Sequence, residues 1–140
     1  MLQFYFLSVA ANLLAGAALS ADGISERFPS LSAILRALSD RRARLVTGLA
    51  SILSGLGTLF VPAAPPIFLG DLFPSVVGIG AGIALLFEAL RQEVFFPADP
   101  GEPASEGTSW RAHRAYRSAL AGFAFAAAVL HFFLPERLFL

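Results

Sequence analysis

The chain has 140 residues, of which 56% are hydrophobic and only 14% are charged. Soluble domains carry about 25% charged residues, and a soluble protein of this size could not bury so much apolar surface. Ten basic and ten acidic residues balance, so no nucleic-acid partner is expected. The absence of cysteine excludes disulfides and thiolate metal sites. The composition therefore predicts an integral membrane protein, whose immediate partner is the lipid bilayer.

Four apolar stretches divide the chain and predict an all-α, integral membrane four-helix bundle in a single transmembrane domain, 1–140. Each stretch has about 17–20 residues, enough to cross a hydrocarbon core at about 1.5 Å per residue. Lipid offers the backbone no hydrogen-bond partners, so the spans must be helices. The predicted spans are 2–21, 45–61, 72–90 and 118–134.

Two alternatives to this arrangement fit the sequence less well. A β-barrel needs alternating segments of about ten residues, and the alanine-rich stretches do not alternate in this way. A cleaved signal peptide begins with a positive segment, whereas residues 1–21 contain no arginine. We therefore interpret the first span as a retained helix.

Arginine placement predicts the orientation. Nine of the ten arginines lie in the loops 22–44 and 91–117. Basic residues concentrate in cytoplasmic loops, so both loops are predicted to be cytoplasmic and both termini to face outward. The predicted location is the cell membrane, or the inner membrane if the source is bacterial.

The first cytoplasmic loop contains a short amphipathic pattern between Ser30 and Asp40. The apolar residues that share one helical face are Leu31, Ile34, Leu35 and Leu38. Ser30 follows a proline and is predicted to cap this helix. Basic amphipathic segments commonly bind lipid headgroups, and docking to a partner protein is the alternative.

The sequence also carries a faint duplication. Short motifs recur in the same order, with residues 6–9 resembling 73–76, 26–29 resembling 93–97, and 44–62 resembling 117–135. A genuine duplication would give two tandem helical hairpins related by an axis along the membrane normal. Chance similarity between helices rich in Ala, Leu and Phe is the alternative.

Three polar residues inside the spans are the candidates for a functional role, because such residues are rare in membranes. Asn12 lies near the middle of the first span and is predicted to hydrogen-bond to a neighbouring helix. Glu88 lies one turn before Arg91 and is predicted to pair with it near the interface. His131 is predicted to be an interfacial histidine. A proton or cation site at Glu88, or a proton relay at His131, is the alternative.

Small residues recur at helical spacing and predict close helix packing. Gly78 and Gly82 form one such pair, and Gly122 and Ala126 form another. The predicted helix-packing residues are Gly48, Gly55, Gly78, Gly82 and Gly122. Such motifs are more often contacts than parts of a conduit.

The sequence contains no recognisable catalytic motif, and no catalytic residue, cofactor or metal ligand is predicted. The leading hypothesis is a non-catalytic membrane subunit or assembly module, forming a homo-oligomer or packing against other membrane subunits. A small transporter or channel for an ion or small solute, built from duplicated hairpins or by oligomerisation, is the main alternative. A membrane-embedded enzyme acting on lipid is a third.

Overall fold

The structure is a computed structural model that describes residues 2–60, 68–94 and 108–133. The helices in chain order are α1 (Leu2–Arg27), α2 (Ser32–Ser39), α3 (Arg41–Phe60), α4 (Phe68–Val94) and α5 (Thr108–Phe133), with a 3₁₀ turn (Pro29–Leu31) before α2. The described residues contain no strand, which confirms the predicted all-α class. The single-domain prediction is not tested by this arrangement.

Four of these helices, α1, α3, α4 and α5, are long and apolar enough to cross a membrane. Their ends differ from the predicted spans. Helix α1 continues to Arg27 rather than ending near residue 21, and α5 begins at Thr108 rather than near residue 118. Hydropathy identifies only the apolar part of a helix, whereas the helical backbone continues beyond it into the polar headgroup region.

The short helix α2 confirms the amphipathic segment but not its predicted cap. Its N-cap is Leu31, which makes no side-chain capping bond, so the prediction for Ser30 is wrong. Asp40 instead caps the following helix, because its carboxylate Oδ2 accepts a hydrogen bond from the Arg42 backbone N–H at 3.1 Å. Ile34 remains exposed, while Leu35 is buried.

Helices α1 and α4 lie at the centre of the bundle. They contact each other, and each also contacts both α3 and α5, whereas α3 and α5 make no contact within the described residues. Two hairpins related by a two-fold axis would have this contact pattern. The duplication itself stays a prediction.

The centre of the bundle is built from small side chains, and the large ones lie outside. The buried core consists of Ala15, Ala18, Leu19, Ala81, Ala84, Leu85, Ala121 and Ala124. Large residues such as Phe6, Phe87 and Phe123 are more than half exposed. In lipid this distribution carries no hydrophobic penalty, and small residues inside let the helices approach closely.

Candidate functional site

Four charged side chains meet at one end of the bundle, one from each long helix. Glu88 of α4 lies 3.3 Å from Nη1 of Arg44 (α3) and 2.9 Å from Nε of Arg117 (α5). Arg117 also lies 3.1 Å from the carboxylate of Asp22 at the end of α1. We call these four residues the Glu88 cluster, and the end of the bundle that holds them the arginine end.

The Glu88 cluster is buried at its centre, while Asp22 at its edge is 63% exposed. The side chains of Glu88 and Arg44 are only 9% and 10% exposed. Two carboxylates face two guanidiniums, so the cluster as a whole is neutral. Within the described residues α3 and α5 make no direct contact, and Glu88 connects them by pairing with an arginine of each. The cluster therefore links all four long helices at the arginine end, and we call this link the four-helix tie.

The sequence identified Glu88 as a candidate but not these partners. The predicted partner Arg91 has a side chain outside the described residues, so the Glu88–Arg91 pair stays a prediction. Arg44 and Arg117 are distant in sequence. Their position beside Glu88 depends on how the helices are aligned along the membrane normal, which a single sequence does not reveal.

Asn12 lies in the interior, 1% exposed, between α1 and α4. Its Nδ2 donates to the Ser8 carbonyl at 3.1 Å on its own helix and to the Pro74 carbonyl of α4 at 3.3 Å. The second bond is the interhelical hydrogen bond expected from the sequence. Oδ1 of Asn12 is buried and has no hydrogen-bond partner within the described structure.

Hydroxyl groups extend this polar contact along α3. Ser51 donates to the Ala11 carbonyl of α1 at 3.2 Å, and the Thr58 and Ser75 hydroxyls lie 2.6 Å apart between α3 and α4. Ser54 bonds within its own helix. Hydroxyls in membrane helices often bond only to their own backbone, whereas here two of them link neighbouring helices.

His131 lies at the opposite end of the bundle, where it contacts the start of α1. It is 6% exposed and packs against α1, and its interfacial depth in the membrane stays a prediction. Its ring lies 4.5 Å from the ring of Tyr5, and the Tyr5 hydroxyl donates to the His131 carbonyl. The contact joins α1 and α5 at the end of the bundle away from the Glu88 cluster.

The predicted packing glycines of α3 and α4 lie where these helices touch. A Cβ atom built on Gly82 would stand 2.6 Å from the Gly48 carbonyl oxygen, and one on Gly55 would stand 2.8 Å from the Ser75 carbonyl oxygen. Gly78 faces the Asn12 amide and the Ser51 carbonyl at 3.3–3.4 Å. A larger residue at Gly82 or Gly55 would push the two backbones apart.

Gly122 faces away from the other described helices. It is exposed on α5, and a Cβ atom built there meets nothing within 4 Å. Gly16 makes the close contact between α1 and α5 instead, 3.3 Å from the Ala121 carbonyl oxygen. Within the described residues Gly122 makes no packing contact, so its predicted packing role is left for a contact between chains.

These contacts define what the interior can do chemically. The polar groups of α1, α3 and α4 hydrogen-bond across tight helix contacts, and the Glu88 cluster is charge-balanced. Within the described ranges, no three His, Asp or Glu residues are grouped as metal ligands. The arrangement favours a rigid, tied bundle.

Comparison with known proteins gives a family without a known function. A model of an uncharacterised protein family matches residues 1–131. No curated protein and no solved structure matches the chain.

Proposed function

We propose that this chain, which belongs to the uncharacterised family matched over residues 1–131, is a non-catalytic membrane subunit that assembles with other membrane chains through the outer face of α5. The observation that carries the proposal is a row of small, exposed residues on that helix. Its members are Ala115, Ala119, Gly122 and Ala126. We call this row the α5 stripe.

The α5 stripe has the features of a helix-docking surface. At 100° per residue, its four members fall within a narrow strip of the helix surface. Gly122 has open space around its Cα, and the exposed Phe123 stands beside it. A shallow groove beside a large side chain suits close approach of a second helix. By contrast, the small residues of α3 and α4 already pack against neighbouring helices of the same chain, as at Gly48, Gly55 and Gly82.

The favoured occupant is a second copy of this chain. A copy in the same membrane carries the same uncharged stripe in the same orientation, so a two-fold contact pairs like with like. The stripe also lies on a flanking helix that, in the described part of the chain, contacts α1 and α4 but not α3. Pairing therefore requires no change in the bundle.

The transporter or channel hypothesis receives less support from the same contacts. A conduit needs space between helices, whereas α3 and α4 meet backbone to backbone near Gly48 and Gly82. Asn12 and Glu88, the polar residues that a pathway would use, are engaged in contacts between helices. Liposome flux that disappears with Glu88→Gln and Asn12→Ala would reverse this preference.

The test uses two glycines at which an added Cβ atom would meet no neighbour within the described residues. Both Gly122 and Gly80 have open space around the Cα, but Gly80 of α4 is flanked by the exposed large residues Val76 and Ile83. We expect Gly122→Leu to abolish oligomers in lipid nanodiscs while Gly80→Leu leaves them intact. Neither change should affect the thermal stability of the monomer, because neither side chain meets a neighbour.

Cysteine crosslinking gives the positive signal. The chain has no native cysteine, so Ala119→Cys reports only on the α5 stripe. We expect dimers to form by oxidation of Ala119→Cys in native membranes and not with Gly80→Cys. A monodisperse monomer in lipid that fails to crosslink at position 119 would overturn the proposal. Crosslinking of Ala119→Cys to a different membrane chain would keep the subunit role and replace the occupant.

A further inference from the structure

A cleft of about 550 Å³ lies between α1 and α5 at the arginine end. The two helices touch where Gly16 meets Ala121. Beyond that contact, the last turns of α1 and the segment of α5 from Arg114 to Ser118 form the two walls. The volume falls within the range of roughly 300–1,000 Å³ that small-molecule sites occupy.

The walls combine both signs of charge with an apolar part. The basic residues are Arg27, Arg114 and Arg117, the acidic residues are Asp22 and Glu26, and the large apolar residues are Leu19, Ile24 and Phe28. The cleft lies where the apolar spans of α1 and α5 reach their charged ends. In a membrane, this is the depth of the lipid headgroups.

The arginine side chains that line the cleft can reach a ligand. The Arg27 side chain makes no ion pair or hydrogen bond within the described residues. Nη2 of Arg117 is buried and has no hydrogen-bond acceptor within the described structure. Arg114 contacts Glu26 at 3.8 Å, but these side chains are 61% and 71% exposed. An ion pair this exposed is worth at most about 1 kcal/mol, so a phosphate can displace it.

We propose that this cleft binds the headgroup of a phospholipid that carries both a phosphate and an ammonium group. The phosphate lies between Arg27 and Arg114, because guanidinium groups form paired hydrogen bonds with phosphate oxygens. The ammonium group faces Glu26. The glycerol and the start of the acyl chains run along Leu19, which lies nearer the bilayer core than the charged residues.

The acidic residues decide which headgroup fits. Basic pockets between membrane helices bind anionic lipids, but Glu26 and Asp22 would repel additional negative charge. When Arg114 turns from Glu26 to the phosphate, Glu26 loses its positive partner. An ammonium group beside the phosphate replaces that positive charge. Phosphatidylethanolamine has this chemistry, whereas phosphatidylglycerol and inorganic phosphate do not.

The experiment is native mass spectrometry of the full chain with phosphatidylethanolamine, phosphatidylglycerol or diacylglycerol. We expect phosphatidylethanolamine to bind best and diacylglycerol least. Arg27→Gln and Arg114→Gln should each weaken phosphatidylethanolamine binding on the order of tenfold. Arg42→Gln is the matched control, since Arg42 is an exposed arginine outside the cleft, and it should leave binding unchanged. None of these variants touches the Glu88 cluster.

Two further measurements distinguish a bound phospholipid from free inorganic phosphate. Glu26→Gln should reduce binding of phosphatidylethanolamine but not of phosphatidylglycerol, because only the former has the ammonium group. Millimolar inorganic phosphate should not displace the bound lipid. The proposal is overturned by equal binding of phosphatidylethanolamine to wild type, Arg27→Gln and Arg114→Gln, by a preference for phosphatidylglycerol, or by displacement with inorganic phosphate.

Discussion

Replacing Glu88 by glutamine tests the four-helix tie most directly. The substitution keeps the size of the side chain and removes its charge. Arg44, whose side chain is 10% exposed, would then lose the only counter-charge that the described structure places beside it. Arg117 would keep Asp22 but lose the shorter of its two ion pairs.

The expected effect follows from the burial of these charges. Removing one partner of a buried ion pair costs about 3–5 kcal/mol, because the remaining charge is left uncompensated. At about 1.4 kcal/mol per factor of ten, the unfolding equilibrium should shift by roughly two to four orders of magnitude. The shift should be largest for a probe that reports separation of α3 from α4.

The measurement is reversible unfolding in mixed detergent micelles, with fluorophores attached to α3 and α4. Glu26→Gln is the matched control, since it makes the same chemical change in an exposed ion pair and should cost no more than about 1 kcal/mol. A double variant, Glu88→Met with Arg44→Met, should recover much of the loss, because an apolar pair often replaces a buried ion pair at little cost. Equal stability of Glu88→Gln and Glu26→Gln would refute the reasoning.

Further predictions concern the helix contacts and the orientation. Gly82→Leu should destabilise the bundle by at least about 2 kcal/mol in the same unfolding assay, because the new side chain meets backbone, and a stability equal to that of Gly80→Leu would contradict this. Asn12→Leu should cost about 1 kcal/mol through loss of its interhelical bond, and unchanged stability would show that the bond contributes nothing. Cysteines at Ser105 and Ala64, both outside the described residues, should react with impermeant reagents from opposite sides, and labelling of both from one side would contradict the predicted orientation.

The existence of the four long helices could be predicted because it depends on local composition. An apolar stretch of sufficient length has one stable form in lipid. The helix ends could not be predicted in the same way. The segment from Thr108 to Arg117 is polar, yet it continues α5, and no hydropathy window distinguishes such a continuation from a loop.

The contacts of the candidate residues show where sequence reasoning stops. Gly82 and Gly122 lie in similar small-residue motifs, yet one meets backbone and the other faces outward. The difference is set by which side of each helix faces the bundle, and that depends on all four helices together. The partners of Glu88 were missed for the same reason, since Arg44 and Arg117 meet it only after the helices have packed.

The Glu88 cluster also imposes an order on biogenesis. Chains emerge from the ribosome with the N-terminal part first, so Asp22 and Arg44 enter the membrane before Glu88, and Arg117 arrives last. Helices α3 and α4 can form their ion pair as a hairpin, but the tie to α1 must await α5. The cluster is therefore complete only after α5 has been synthesised and has joined the other three long helices.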